Sequence, residues 1–438
     1  MAEIPRHIIR YGSHPEKEFF REPFDKLYDG VLLNANTVAY STRGIAEFLT
    51  QNLNKPFCID PLVHAFGHNP IHISKNKSED NPEVRSAFKK LAEYYGEPVV
   101  SVLGERGLDP EDFVDKKIID GFCKRVIDFQ KNSISNQITE NEEDKYISRK
   151  QQTPCIVMAP YFYMSSTTFN FWIELNRTFI DRSVEIEKEL PVFGYILISE
   201  DAFFDDEVRQ QLTESYKNTK ASGIMLWIES FSEHAATEAE LKKYKSFVSE
   251  MSQNDKKIIT LYGGYFSITL QKYGLYGVTH GPGYGESREV TPVGGGLPKP
   301  KFYFPSLYER LSFREVMFAI RQIAKFTTAE QYYENVCDCT CCKKIIGKDI
   351  SNFSKYGESK SGVRKDGIAF EYQTTQARIL NTAHYLFRKD KEFKDVERKS
   401  IQEIREELEG DVKRYKKYFG IEGVGHLYNW SKALVETK

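Results

Sequence analysis

Short apolar runs alternate along the chain with longer stretches in which hydrophobic residues recur every three or four positions. The first pattern is typical of buried strands, and the second of amphipathic helices that cover them. The apolar runs lie at residues 30–38, 56–61, 98–103, 155–164, 192–199, 223–230, 257–264 and 275–282. Eight strands separated by helices predict an α/β fold, a closed (β/α)8 TIM barrel. A doubly wound open sheet is the competing prediction.

The segments outside these runs predict loops and further helices. Residues 131–152 are polar and predict an exposed loop or insertion, and the Gly- and Pro-rich residues 281–305 predict a second loop. Amphipathic helices are predicted for residues 312–326, about 374–397 and about 399–418.

The net charge and the search for targeting segments exclude some classes of function. Lys and Arg number 61 against 63 Asp and Glu, which gives a net charge of -2. This balance excludes a globally basic nucleic-acid binder but leaves a local basic groove open. No signal-peptide core and no long uninterrupted apolar stretch are found, so we expect a cytoplasmic protein without a membrane partner.

Four of the seven cysteines fall within six residues. Cys337, Cys339 and Cys342 form a C-x-C-x-x-C arrangement that can place three thiolates on one tetrahedral ion. His384, on a predicted helix, is the candidate fourth ligand, and Cys341 is either a spare or an alternative ligand. Four protein ligands predict a structural Zn²⁺. A redox-active or merely exposed cysteine cluster is the alternative.

The cysteine arrangement, followed by a helix-borne histidine after the last predicted strand, resembles the zinc subdomain of tRNA-guanine transglycosylases. Four upstream segments resemble strand segments of the same family: GVLLNANTV with Asn36, PFCIDPLVHAFG, PVFGYILIS and ITLYGG. The resemblance runs from about residue 30 to about residue 393. It implies a barrel domain over 1–326, and a zinc-binding subdomain with C-terminal helices over 327–438. In the family this subdomain often takes part in a homodimer contact, so a homodimer is implied as well.

The resemblance also implies a chemistry, of which one part is missing. Family members exchange guanine for a 7-deazaguanine through a carboxylate nucleophile and a second Asp that moves protons. The second role maps to Asp60, although an Asp before Pro61 is also common as a turn residue. The nucleophile would lie in residues 277–282, which contain no carboxylate. The nearest acidic residue is Glu286.

Base recognition is altered relative to the family pattern. Tyr161 falls where the family uses an Asp, and Trp227 falls near a Gly-Gly pair that leaves room for the base. A Trp at this point either fills the pocket or offers a stacking face. An ordinary packed barrel residue is the alternative at each position. The candidate base-binding or ligand-binding residues are Asn36, Tyr161, Ser199, Trp227, Glu229 and His280.

These changes favour a remodelled family member. The first hypothesis is a binding protein without base exchange, similar to the transglycosylase-like accessory proteins of type IV CBASS anti-phage operons. Such a protein would bind a 7-deazaguanine-type base and a protein partner, an N-terminally deazaguanine-modified nucleotidyltransferase, in bacterial antiviral defence. The alternative is an active transglycosylase acting on tRNA or DNA through Asp60 and a nucleophile such as Glu286 or Glu229. A third hypothesis is a hydrolase that uses Asp60 and His64.

Overall fold

The computed structural model describes residues 3–12, 14–53, 55–76, 82–139, 153–283, 286–291, 301–363 and 367–435. Eight parallel strands form a nearly closed barrel. The strands are β1 (His7–Tyr11), β2 (Gly30–Asn34), β3 (Phe57–Asp60), β4 (Val157–Met158), β5 (Val192–Ser199), β6 (Gly223–Glu229), β7 (Lys257–Leu261) and β8 (Leu275–His280).

The strand order is β3-β2-β1-β8-β7-β6-β5-β4. The two end strands come together, since the Cys155 amide just before β4 donates a 2.8 Å hydrogen bond to the Phe57 carbonyl of β3. The predicted α/β, TIM-like barrel is therefore confirmed, and the open sheet is wrong.

Helices cover the barrel and continue beyond it. They are α1 (Ala35–Tyr40), α2 (Thr42–Asn52), α3 (Ser86–Tyr95), α4 (Val99–Val102), α5 (Lys116–Thr139), α6 (Phe169–Ile186), α7 (Glu200–Phe204), α8 (Asp206–Lys217), α9 (Glu238–Gln253), α10 (Tyr265–Thr269), α11 (Phe313–Phe318), α12 (Ala329–Asn335), α13 (Thr340–Ile346), α14 (Thr375–Arg398), α15 (Ile401–Phe419) and α16 (Gly425–Ala433). Two hairpins lie after β8, formed by β9 (Lys301–Phe304) with β10 (Glu309–Ser312) and by β11 (Ser359–Val363) with β12 (Ala369–Gln373).

One predicted barrel strand is wrong, one barrel strand was not predicted, and the strands of the two hairpins after the barrel were not predicted either. The run at 98–103 forms α4, in which Val99 and Val102 are buried while Val100 is 46% exposed. Burial three residues apart fits a helix, although a run of valines resembles a strand. The remaining barrel strand is β1 near the N-terminus, a run of only five residues in which the fourth residue, Arg10, breaks the apolar pattern.

The predicted loop over 131–152 is also partly wrong. Helix α5 continues to Thr139, because Ser133 and Ile134 pack inside the fold in spite of their polar neighbours. Residues 140–152 lie outside the described residues. The three helices predicted after the barrel match α11 with its π-helical extension Ala319–Ile323, α14 and α15. Helices α12, α13 and α16 were not predicted.

Apolar side chains form two layers. An inner layer fills the barrel with alternate strand residues such as Ile8, Leu32, Met225 and Ile259. An outer layer lies between the strands and the helices. Successive strand residues point to opposite faces. A residue at the end of a strand therefore lies inside the barrel when it is two or four residues away from an inner-layer residue of the same strand. The carboxyl ends of the strands open at one mouth, which is where barrel proteins carry their chemistry.

Candidate functional site

The cysteine cluster and His384 form a compact group. Cys339 caps the N-terminus of α13, Cys342 lies in its first turn, and His384 lies on α14. His384 Nδ1 lies 4.0 Å from Cys337 Sγ and 3.4 Å from Sγ of both Cys339 and Cys342. Ligands of one tetrahedral zinc ion are separated by roughly 3.5 Å when Zn–S is about 2.3 Å and Zn–N about 2.0 Å. These four side chains could therefore hold a metal ion.

Hydrogen bonds around the cluster hold its ligand atoms in position. The Tyr303 carbonyl accepts a 2.8 Å hydrogen bond from His384 Nε2, which leaves the Nδ1 lone pair free to face the thiols. The Cys339 amide donates to Cys337 Sγ, and the Cys342 amide donates to Cys339 Sγ, both at 3.4 Å. Such donors stabilise thiolate charge, as a metal site requires.

Cys341 lies outside this group. Its Sγ contacts Tyr356 Oη at 3.4 Å and the Leu380 carbonyl at 3.8 Å. Of the alternatives that the spacing left open, the structure brings together Cys337, Cys339, Cys342 and His384, and it turns the Cys341 side chain away.

Asp60 ends β3 inside the barrel and is 1% exposed. Its Oδ1 accepts hydrogen bonds from Tyr161 Oη at 2.6 Å and from the Leu62 amide at 3.0 Å. Its Oδ2 accepts a longer one from Tyr195 Oη at 3.5 Å. Burial raises the pKa of the Asp60 carboxyl, and the hydrogen bond from Tyr161 opposes this rise only in part. The carboxyl group is thus sealed away from water.

Aromatic side chains fill the barrel around Asp60. The rings of Tyr161 and Tyr195 stack with centroids 3.6 Å apart and an interplanar angle of 6°. Trp227 and Tyr262 lie beside them with centroids 4.9 Å apart, and all four side chains are at most 5% exposed. Tyr161 and Trp227 therefore act in the structure as packing groups above Asp60.

The segment 286–291 covers this aromatic cluster. The Arg288 carbonyl accepts hydrogen bonds from Trp227 Nε1 at 3.2 Å and from the Ser230 amide at 2.9 Å. The Arg288 guanidinium lies over the rings of Trp227 and Tyr262, 5.9 and 5.7 Å from their centroids. The Val290 amide donates to Glu229 Oε1 at 3.0 Å. The mouth of the barrel is consequently closed by the chain that follows β8.

His64 is linked to Asp60 through a tyrosine. Tyr161 Oη donates to Asp60, so it accepts from His64 Nδ1, which lies 2.9 Å away. Burial lowers the pKa of His64 well below its usual value, which keeps the ring neutral. The three groups form a buried chain of hydrogen bonds.

His280 and Glu286 lie on the opposite side of the barrel wall from Asp60. His280 is fully buried, and its Nε2 lies 2.8 Å from His7 Nε2, while its Nδ1 lies 3.2 Å from Tyr385 Oη on α14. Glu286 accepts a 2.8 Å hydrogen bond from Tyr385 and forms a 2.8 Å ion pair with Lys389. Both side chains thus join the barrel to α14.

The remaining predicted residues are dispersed around the mouth. Asn36 lies in α1, whereas the polar residue level with Asp60 in the register of β2 and β3 is Asn34. Ser199 caps α7, and Glu229 at the end of β6 accepts a hydrogen bond from Tyr163 Oη. Sequence reasoning did not single out Tyr195, Tyr262 or Arg288 as site residues. The period of two in β5 could have placed Tyr195 inside the barrel.

No family model matches the chain, and no curated protein matches it either. Within the described part of the chain, no helix combines the length and apolar character needed to cross a membrane.

We expect the stability of Asp60→Asn, measured relative to the native chain, to increase as the pH rises. Because burial raises the pKa of Asp60, the native carboxyl loses folding free energy as the pH rises above its unfolded value of 3.8 towards the folded pKa. Asn carries no charge and escapes this loss. Urea unfolding of both chains at about pH 4 and about pH 7 measures the difference. If the free energy of unfolding of the native chain instead increased relative to that of Asp60→Asn over this interval, the result would contradict a desolvated Asp60 carboxyl.

Proposed function

We propose that this protein is a binding protein built on the plan of the tRNA-guanine transglycosylases, and that it does not exchange bases. The observation that carries the proposal is the sealing of Asp60. Tyr161 and Tyr195 bond to its carboxylate, and the segment 286–291 closes the mouth above. A base-exchange centre needs a ribose and a base next to that carboxylate, and side chains occupy the space.

The candidate nucleophiles give further support. Glu286 is committed to Lys389 and Tyr385 beside α14, away from the barrel interior. Glu229 is held by Tyr163 and by the Val290 amide at the rim. A carboxylate that attacks an anomeric carbon must be free to approach it. Each of these two would first have to give up its present partners.

The proposed ligand is a 7-deazaguanine-type base that enters where Arg288 now lies. The guanidinium is a flat group over Trp227 and Tyr262, and a purine-like base would stack on the same two faces. Moving the segment 286–291 away from the barrel mouth breaks its main-chain hydrogen bonds, so the ligand must supply at least as many contacts. The resemblance alone supplies the proposed partner, an N-terminally deazaguanine-modified nucleotidyltransferase in bacterial antiviral defence.

The proposed ion of the Cys337, Cys339, Cys342 and His384 cluster is Zn²⁺ in a structural role. Three thiolates and one imidazole are the donor set that zinc prefers in closed, four-ligand sites. The cluster joins α13 to α14 and, through the Tyr303 carbonyl, to the β9–β10 hairpin. Such an ion stabilises the region after the barrel rather than activating water.

A base-exchange assay tests the proposal. Purified protein is incubated with radiolabelled guanine and either tRNA or duplex DNA, beside an active tRNA-guanine transglycosylase as the positive control. We expect no incorporation above the level of Asp60→Asn in either nucleic acid. In parallel, calorimetry with a free 7-deazaguanine base is expected to show binding that strengthens in Arg288→Ala, because that change removes the group the base must displace.

Opposite outcomes favour the alternative function. Incorporation that is lost in Asp60→Asn would identify an active transglycosylase, for which the position of Asp60 at a strand end inside the barrel is the supporting observation. Loss of the same incorporation in Glu229→Gln or Glu286→Gln would then identify its nucleophile. Co-purification with the modified nucleotidyltransferase, but not with its unmodified form, would support the proposed partner.

A further inference from the structure

A second group of potential metal ligands lies apart from the cysteine cluster. His234 lies in the connection between β6 and α9, Glu309 begins β10, and His426 lies in the first turn of α16. One ligand atom from each of the three residues lies within 4.8 Å of the other two. Three segments that are distant in sequence therefore converge on one point on the carboxyl-terminal side of the barrel.

Hydrogen bonds define which ring atoms are available. His234 Nε2 lies 3.1 Å from the Tyr308 carbonyl, and His426 Nε2 lies 2.8 Å from the Leu307 carbonyl. A carbonyl only accepts, so each Nε2 carries the proton and each Nδ1 of the neutral ring carries a lone pair. Metal-bound histidines commonly donate their other ring N–H to a backbone carbonyl in this way. His384 in the cysteine cluster shows the same arrangement with Tyr303.

One tight turn organises all three ligands. Leu307 and Tyr308 supply the two carbonyls, and the next residue, Glu309, supplies the carboxylate. Tyr308 has a φ of 53°, a left-handed conformation that is uncommon for an aromatic residue. Its ring stacks on Tyr265 with centroids 3.6 Å apart, which holds the turn in place. A strained conformation maintained by packing is a frequent feature of functional sites.

Three carboxylates interact with His234, and the cations Lys389, Arg310 and Lys301 lie near two of them. The carboxylates of Glu233 and Glu286 both interact electrostatically with His234, and Glu309 itself faces the same ring. Glu233 caps α10 through the Gly264 and Phe266 amides, and Glu286 pairs with Lys389, so both are held in place. Two imidazoles among fixed carboxylates form a surrounding that a divalent ion would stabilise.

We propose that His234, Glu309 and His426 form a second metal site, which binds a divalent transition-metal ion of the Zn²⁺ class through two imidazoles and one carboxylate. Two ligands of one such ion lie roughly 3.4 Å apart, so the half-buried Glu309 side chain moves inward when the ion binds. Three protein ligands leave a coordination position for water or for a ligand atom. The ion links α16 and the β9–β10 hairpin to the barrel. The site is independent of the proposed binding function.

Metal stoichiometry and Co²⁺ spectra test the proposal. Full-length protein is freed of metal, titrated with Zn²⁺ at micromolar concentration, desalted, and analysed by mass spectrometry for bound metal. We expect two equivalents in the native chain and one in His426→Ala and in Glu309→Gln. His72→Ala, the same change at a half-buried histidine elsewhere, is the matched control and is expected to retain two. Glu309→Gln keeps the side-chain shape, so it tests the site even where His426→Ala fails to fold.

Cobalt distinguishes this site from the thiolate cluster. The second equivalent of Co²⁺ is expected to add weak visible bands without the intense near-ultraviolet absorption of cobalt–thiolate bonds. A single equivalent in the native chain, even with excess Zn²⁺, would overturn the proposal. So would a second equivalent that survives in Glu309→Gln and His426→Ala, or one with thiolate absorption, since a cysteine would then be its ligand.

Discussion

Loss of the proposed ion from the cysteine cluster is expected to lower the melting temperature by about 5 to 10 °C or more. Structural zinc sites contribute roughly 10 kcal/mol or more to the folding of small domains, and only part of this is needed for such a shift. Cys337 and Cys342 are buried and both sulfur atoms contact His384 Nδ1, so without an ion these polar groups stay buried without the partner that would join them. The measurement is thermal unfolding of Cys342→Ser, together with its zinc content.

Cys341→Ser is the matched control for this experiment. It makes the same chemical change one residue away, at a buried thiol whose neighbours are Tyr356 and the Leu380 carbonyl. We expect Cys341→Ser to keep its zinc and to melt within a few degrees of the native chain. Equal zinc loss in both variants would contradict the assignment of Cys342 as a ligand, and unchanged melting in Cys342→Ser would contradict a structural ion.

The barrel was predictable because its signal is repeated. Seven of the eight predicted runs contain a strand of the barrel, although residues 35–38 of the first run belong to α1 and β4 covers only two residues of its run. The signal is repeated because buried parallel strands are continuously apolar and the helices between them are amphipathic. The error at 98–103 and the omission of β1 share one cause: a run of four to six residues has no periodicity that separates a helix from a strand. Tertiary contacts decide such segments. The Arg10 side chain in β1, for example, donates a hydrogen bond to Tyr262 Oη directly after the end of β7.

The candidate site was predictable only in part, and for a different reason. The ligands of the cysteine cluster follow from spacing, because a turn fixes three thiols locally and only His384 had to be found at a distance. By contrast, the sealing of Asp60 depends on Tyr161, Tyr195 and Arg288, which lie far apart in sequence and meet only in the closed barrel. The orientation of the His280 side chain could not be predicted from the sequence either. Its position at a strand end was predicted, but the pleat turns its ring outward to His7 and Tyr385.

Replacement of Lys389 by Met is expected to destabilise the fold by about 3 to 5 kcal/mol at neutral pH. The Lys389 side chain is 0% exposed and forms ion pairs with Glu286 at 2.8 Å and Glu392 at 3.0 Å. Its Nζ also donates a 3.1 Å hydrogen bond to Tyr303 Oη. Met fills a similar volume but leaves the carboxylates of Glu286 and Glu392 without their ion-pair partner. Breaking such a group is costly because the remaining charges stay desolvated.

The pH dependence of this loss has a defined sign. Burial raises the pKa of Glu286, but the Lys389 ammonium outweighs it and holds that pKa below its usual value of 4.5, so the pair contributes stability above that value and loses it as the pH falls. In Lys389→Met the cation is gone, the pKa of both carboxyls rises, and protonation relieves the buried charge. The difference between variant and native chain should therefore shrink between about pH 7.5 and about pH 5.

Urea unfolding at these two pH values measures the effect, and Lys391→Met is the matched control. Lys391 lies two residues along the same helix and is exposed, so its replacement is expected to change stability by less than about 0.5 kcal/mol. A double variant, Lys389→Met with Glu392→Gln, should recover part of the loss, since it removes one of the two orphaned charges. A loss that persists unchanged at low pH and in the double variant would assign the effect to packing. In that case the contact between α14 and Glu286, in the segment after β8, would not depend on charge.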